Sequence, residues 1–182
     1  MGGVFCKGSD VYNNLPPDFF KCSATTIDGV NFEFSALEKT ENRAFLVVNV
    51  ATNWGLTKKN YTEMRELLLK YGENGLKVLL FPCNQFLSQE PKSNAEIKKM
   101  VMEKYPADWL LFEKSNVNGQ NANEVFRWLR TNSSLNNKGK CQPIGWNFGK
   151  FLLNAKGEVI KYYGPKQNPL SFEDDVKETL GV

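Results

Sequence analysis

The chain has no histidine among its 182 residues. Three chemistries leave with it: the imidazole-activated Ser or Cys nucleophile, the histidine general base and histidine metal ligation. Cysteine is scarce. Cys6, Cys22, Cys83 and Cys141 lie far apart, with no CxxC pair and no zinc-ligand spacing. They read as free thiols of a reducing compartment, so a cytoplasmic protein without a metal is expected. Charge of one sign is lacking as well. The 23 Lys and Arg against 20 Asp and Glu leave a formal +3, and no basic cluster stands out, so no nucleic-acid partner is expected. No apolar run approaches the length of a membrane span. The first twenty residues, MGGVFCKGSDVYNNLPPDFF, hold no signal-peptide core. Gly2 opens a partial myristoylation motif in which Cys6 stands for the usual Ser or Thr.

What is present is an ordinary globular composition, 41% hydrophobic and 24% charged. Residues 1–17 are polar, end in LPP and read as a flexible arm; residues 18–182 read as a single domain. Asp28-Gly29 between β-prone stretches signals a hairpin. AFLVVNVA (44–51) and LKVLLFP (76–82) read as strands covered on both faces. Between them Tyr61, Met64, Leu68 and Tyr71 recur at helical spacing, and Gly72 and Gly75 stop the helix. SNAE (93–96) is a capping box opening a helix to about Lys104. NANEVFRWLR reads as a third helix and 131–145 as a polar loop. Two strands flank the turn at Asn154–Gly157, and SFEDDVKETL closes the chain as a helix with Ser171 as its cap. The order β-hairpin, βαβ, α, α, ββ, α predicts an α/β chain of the thioredoxin-like fold, a mixed central sheet flanked by helices.

Three stretches leave strands where ligands gather in open α/β sheets. NVATNWGLT (49–57) runs from a central strand into a helix N-terminus, whose unpaired N–H groups favour an anion. A thiol or selenol there ionises readily, yet Trp54 occupies the place. PCNQFLSQEP (82–91) carries the amides Asn84, Gln85 and Gln89, which donate to an anion without titrating. GWNFGKFL (145–152) sets the indole of Trp146 beside the amide of Asn147. Taken singly, each also reads as ordinary packing or turn structure.

Together these motifs resemble the glutathione peroxidase family. VVNVATNWGLT is similar to its first signature, in which selenocysteine or cysteine stands where this chain has Trp54. LLFPCNQF matches the second signature, and QEP and WNF complete the set. The resemblance extends from about Phe20 to the C-terminus. It implies a peroxidase in which a selenolate or thiolate attacks a hydroperoxide and is restored by thiols, commonly glutathione, with no bound cofactor. Gln89, Trp146 and Asn147 are implied as the donors around the peroxidatic residue, with Trp54 at its position.

The departures have consequences. Trp54 cannot ionise to a nucleophile, so the chain as written is expected to be inactive. The selenocysteine codon UGA differs from the tryptophan codon UGG in one base, so Trp54 reads as the mark of a selenocysteine site. A paralogue that has lost peroxidase chemistry and serves as a binding or structural protein is the alternative, and Cys83 is an alternative nucleophile. Leu87 stands where the family usually has Gly, and Thr52 where it has Ser. The helix after QEP has no resolving cysteine, with Met102 nearest its place, which points to an external thiol. The short 131–145 loop is like that of the monomeric, phospholipid-hydroperoxide type, whose open site admits lipid peroxides at a membrane surface. Lys58, Lys59, Lys92 and Lys150 are candidates for anchoring glutathione.

Overall fold

Seven consecutive buried residues, Ala44–Val50, require cover on both faces of their strand. A computed structural model, which describes residues 8–182, shows how that cover is arranged. Gly2, Cys6 and the start of the expected arm lie outside the described residues. In chain order the elements are β1 (Ser23–Thr25), β2 (Asn31–Glu33), α1 (Ser35–Glu38), β3 (Ala44–Val50), α2 (Thr57–Tyr71), β4 (Leu76–Pro82), α3 (Asn94–Lys104), β5 (Leu110–Leu111), α4 (Glu124–Thr131), β6 (Asn136–Asn137), β7 (Lys140–Cys141), β8 (Lys150–Asn154), β9 (Val159–Tyr163) and α5 (Glu173–Leu180).

The central sheet has the order β5-β4-β3-β8-β9. Strands β3, β4 and β5 run parallel, and β8 and β9 continue the sheet antiparallel. Because successive side chains alternate between faces, β3 divides its residues. Leu46, Val48 and Val50 pack with Met64 and Leu67 of α2, Ile97 and Val101 of α3, and Val176 and Leu180 of α5. Phe45 and Val47 pack on the other face with Phe126 and Leu129 of α4 and with Phe19 and Phe34. Each such side chain contributes about 1.5–3 kcal/mol of burial. This is the thioredoxin-like arrangement expected, with β1 and β2 forming the N-terminal hairpin. The capping box is present: Ser93 Oγ accepts from the Glu96 N–H, and Glu96 reaches back to the Ser93 N–H.

Several local expectations are corrected. Strand β5 went unanticipated. Helix α4 starts at Glu124, since the Asn123 side chain caps it by accepting from the Val125 N–H. Ser171 does not cap α5. Its hydroxyl donates to the Asn168 carbonyl at 2.6 Å within a 3-10 turn, and Glu173, Asp174 and Asp175 supply negative charge to the first turn of α5 instead. The polar loop contains the small hairpin β6–β7. The arm, expected to be loose through residue 17, is held at Asp10 and Tyr12. Asp10 exchanges both backbone hydrogen bonds with Cys141, and its carboxylate pairs at 2.8 Å with the fully buried Arg130. No helix among the described residues is long and apolar enough to cross a membrane.

Candidate functional site

The register brings three chain segments to one edge of the sheet. Val50 pairs with Pro82, so parallel β3 and β4 end side by side, and antiparallel β8 begins there with Lys150 opposite Val48. The turn 51–56, the loop 83–92 and the segment 145–149 therefore converge.

The turn is built by Thr57. Its hydroxyl donates to the Ala51 carbonyl at 2.8 Å and accepts from the Trp54 N–H at 3.1 Å, while its own N–H donates to the Trp54 carbonyl at 3.0 Å. Position 54 thus lies at the N-terminal approach to α2, a fifteen-residue helix with no acidic residue in its first turn. The positive end of the helix is uncompensated and favours an anion there. The Trp54 indole is half-buried and stacks on Phe148, with ring centroids 5.7 Å apart and planes 21° apart.

The loop that carries Gln89 is fastened to this turn. The Asn53 N–H donates to the Gln89 carbonyl at 3.0 Å, and the Thr52 hydroxyl to the Glu90 carboxyl at 2.8 Å. Leu87 and Ser88 both adopt left-handed backbone, φ 49° and 52°. Leu87 therefore keeps a glycine-like conformation despite its Cβ.

Asn49 fastens the third segment. Its Nδ2 donates to the Trp146 carbonyl at 3.1 Å, its Oδ1 accepts from the Gly149 N–H at 2.9 Å, and its backbone carbonyl accepts from the Phe148 N–H at 2.6 Å. Phe148 takes φ 60° to make this bend. A Cβ on Gly149 would lie 2.9 Å from Ile144 and 3.1 Å from the Asn49 Oδ1, so only glycine permits the approach. The result presents Trp146, half-buried with its ring 5.8 Å from Phe86, and Asn147, fully buried. Asn147 Nδ2 donates to Gln89 Oε1 at 2.7 Å. Gln89, Trp146 and Asn147 are therefore gathered around the turn of Trp54.

Other candidates are used elsewhere. Gln85 donates to the Asn118 carbonyl and accepts from the Val117 and Asn118 N–H groups. Asn84 accepts from the Glu90 N–H. Lys150 is fully buried, with Nζ on the carbonyls of Gln167 (2.7 Å) and Pro165 (3.4 Å), which removes it as an anchor for a soluble ligand. Desolvation lowers its ammonium to about 7, against a raising contribution from Glu63. Cys83 adjoins the turn, its N–H on the Val50 carbonyl, but it is fully buried and burial pushes its thiol up to about 12, unsuited to attack. Sequence reasoning missed Glu90, Thr57 and Asn49. Their only signal was position inside the motifs.

A mixed sheet with an anion-favouring helix N-terminus at the end of its central strand defines a thioredoxin-like fold. Comparison with known proteins narrows this. The profile of the family described as glutathione peroxidase matches residues 19–130. The chain is 40% identical over 158 residues to probable glutathione peroxidase 2 of Arabidopsis thaliana, covering 86% of this chain and 90% of that one. It is 42% identical over 144 residues to a probable phospholipid hydroperoxide glutathione peroxidase of Solanum lycopersicum, covering 78% and 82%. A crystal structure of Trgpx in apo form superposes with a TM-score of 0.70 at 26% identity, over 91% of this chain and 96% of that one. The chain belongs to the glutathione peroxidase family, and the family assignment is that of a peroxidase.

Proposed function

We propose that position 54 belongs to selenocysteine or cysteine, and that the chain carrying Trp54 holds a peroxidase site that does not turn over. The observation that carries this reading is the fastening of the turn. Its hydrogen bonds run through Ala51, Thr52, Asn53, the Trp54 backbone and Thr57, and none uses the side chain at 54.

A selenolate or thiolate at 54 would attack one oxygen of a hydroperoxide. The O–O bond breaks, the other oxygen takes a proton and leaves as alcohol or water, and a selenenic or sulfenic acid remains. One thiol displaces water to form a mixed chalcogen–sulfur bond. A second thiol releases the disulfide and restores the nucleophile. With its Oε1 engaged by Asn147, Gln89 keeps its two N–H donors for the anion, and the Trp146 indole is a further donor. Cys22, Cys83 and Cys141 are free and buried, and α3 carries the exposed Met102 and no thiol. That supports an external reductant, glutathione, over an internal disulfide. Half-buried Trp54, Gln89 and Trp146 beside a short hairpinned loop support a monomeric enzyme acting on bulky lipid hydroperoxides as well as hydrogen peroxide. The free thiols support a cytoplasmic setting, and peroxide reduction supports a role in the response to oxidative stress.

The test is a glutathione-coupled peroxidase assay on Trp54→Sec and Trp54→Cys proteins beside the parent. Both variants are expected to turn over, selenium faster, with the parent at buffer background. A UGA codon at 54 in the natural transcript is the expected source of the tryptophan. The stacking of Trp54 on Phe148 favours a second reading, a non-catalytic paralogue in which the indole is a settled part of a binding or structural protein. A UGG codon, and no activity from either variant, would select it.

A further inference from the structure

Glu90 is the one acidic side chain among the fully buried described residues. Its Oε1 accepts from the Thr52 hydroxyl at 2.8 Å, and its Oε2 is buried without a partner. Its backbone is held on both sides, the N–H by Asn84 Oδ1 and the carbonyl by Lys114 Nζ at 3.2 Å. A carboxyl kept in such a place without a salt-bridge partner is costly. It is also two residues along the chain from position 54 through its contact with Thr52.

We propose that Glu90 is a positioning residue of the peroxidase site: its buried carboxyl grips Thr52, docks the turn bearing position 54 onto the loop bearing Gln89, and couples its own proton to the ionisation of a chalcogen at 54. The proposal rests on the reading of position 54 given above. A carboxylate bound to Thr52, two residues from position 54, opposes a second negative charge there, so the two groups titrate as a pair. A neutral Glu90 leaves the positive end of α2 undiminished; an ionised one opposes it. Burial raises the carboxyl from 4.5 to about 7, while Thr52, Lys114 and Lys92 hold it down. Tyr61 of α2 and Cys83 at the end of β4 also feel its charge, and burial keeps both neutral near pH 7.

The experiment needs no turnover. In the Trp54→Cys protein, the rate of iodoacetamide alkylation at residue 54 is followed by peptide mass from pH 5 to 9, with and without Glu90→Gln. With Glu90 the profile should be broad and biphasic. With Glu90→Gln it should collapse to one step, its midpoint at least half a pH unit lower, making alkylation about threefold faster at pH 7. Thr52→Val serves as a second variant if Glu90→Gln fails to fold: loss of the hydroxyl donor should move the carboxyl step to higher pH. Superimposable profiles in the folded variants overturn the proposal. Because the pH profile of alkylation reads ionisation and needs no peroxide turnover, that result is separable from an inactive coupled assay, which would count against the peroxidase reading itself.

Discussion

The anchoring of the N-terminal segment lends itself to a direct test. Arg130 is fully buried on α4, and the Asp10 carboxylate is the only anion paired with it among the described residues. Its remaining partners are neutral: Gln142 O at 3.1 Å, Cys141 O at 3.0 Å, Val117 O at 3.4 Å and the Tyr12 hydroxyl. Asp10 Oδ2 also accepts from the Gly119 N–H at 3.1 Å. Asp10→Ala therefore strands a guanidinium among dipoles and frees a peptide N–H. Breaking one side of a buried pair costs about 3–5 kcal/mol. Since Asp10 retains 13% side-chain exposure, the lower end, about 3 kcal/mol, is expected. At roughly 2–4 °C per kcal/mol for a domain of this size, Tm should fall by about 6–12 °C. Urea melts supply the free energy, and a cycle with Arg130→Met isolates the pair. A cost below about 1 kcal/mol would refute the docking of this segment and restore the loose arm; an equal cost in the Arg130→Met background would refute the ion pair as its cause.

Glu90→Gln should also alter stability with pH. The folded carboxyl is raised from 4.5 to about 7, so the folded state holds the proton more tightly than the unfolded chain; stability is full below about pH 4.5, falls as pH rises toward 7, and the variant should gain up to about 3 kcal/mol over the parent by pH 8. A gap between parent and variant melts that is constant from pH 4.5 to 8 would contradict this. Leu87→Gly should stabilise by about 0.5–1 kcal/mol, because relief of the left-handed backbone (about 1–2 kcal/mol) exceeds the added freedom of the unfolded chain, and the 57% exposed side chain loses little packing; an unchanged or lower urea midpoint would show that the loop is not held at φ 49° in solution.

The sequence made legible those elements whose signals are local. The uninterrupted apolar run of β3, the helical spacing of α2 and the capping box of α3 each carry their cause within a few residues. Strand β5 spans two residues, too short for any period to show. Asp10 and Arg130 are separated by 120 positions, so nothing local couples them. The site divides in the same way. Gln89, Trp146 and Asn147 are candidates because their motifs name them, and the fold brings their segments together. Gln85 and Lys150 looked available because sequence shows a donor but not where it is already engaged; the fold commits one to the 117–118 backbone and the other to the 165–167 carbonyls. Glu90 was hidden by the opposite error, since a carboxylate in a polar loop reads as solvated until the fold buries it.

The fastening of the site also bears on whether the substitutions at 54 can be interpreted. Trp54 contributes a stacked contact with Phe148 and partial burial against the α2 side of the core. An aromatic pair is worth about 0.5–1.5 kcal/mol beyond its area, and a half-buried indole loses less on truncation than the 3–5 kcal/mol of a fully buried one. Trp54→Cys should therefore lower stability by about 1–3 kcal/mol, within the reserve of an ordinary domain. Phe148 stays in place because its left-handed bend is held by its N–H on the Asn49 carbonyl and the Gly149 N–H on Asn49 Oδ1, and because Tyr61 packs edge-on against it. The turn keeps Thr57, and the Gln89–Asn147 bond is made apart from residue 54. A folded but inactive variant would thus speak to the chemistry of position 54 and not to a collapsed scaffold.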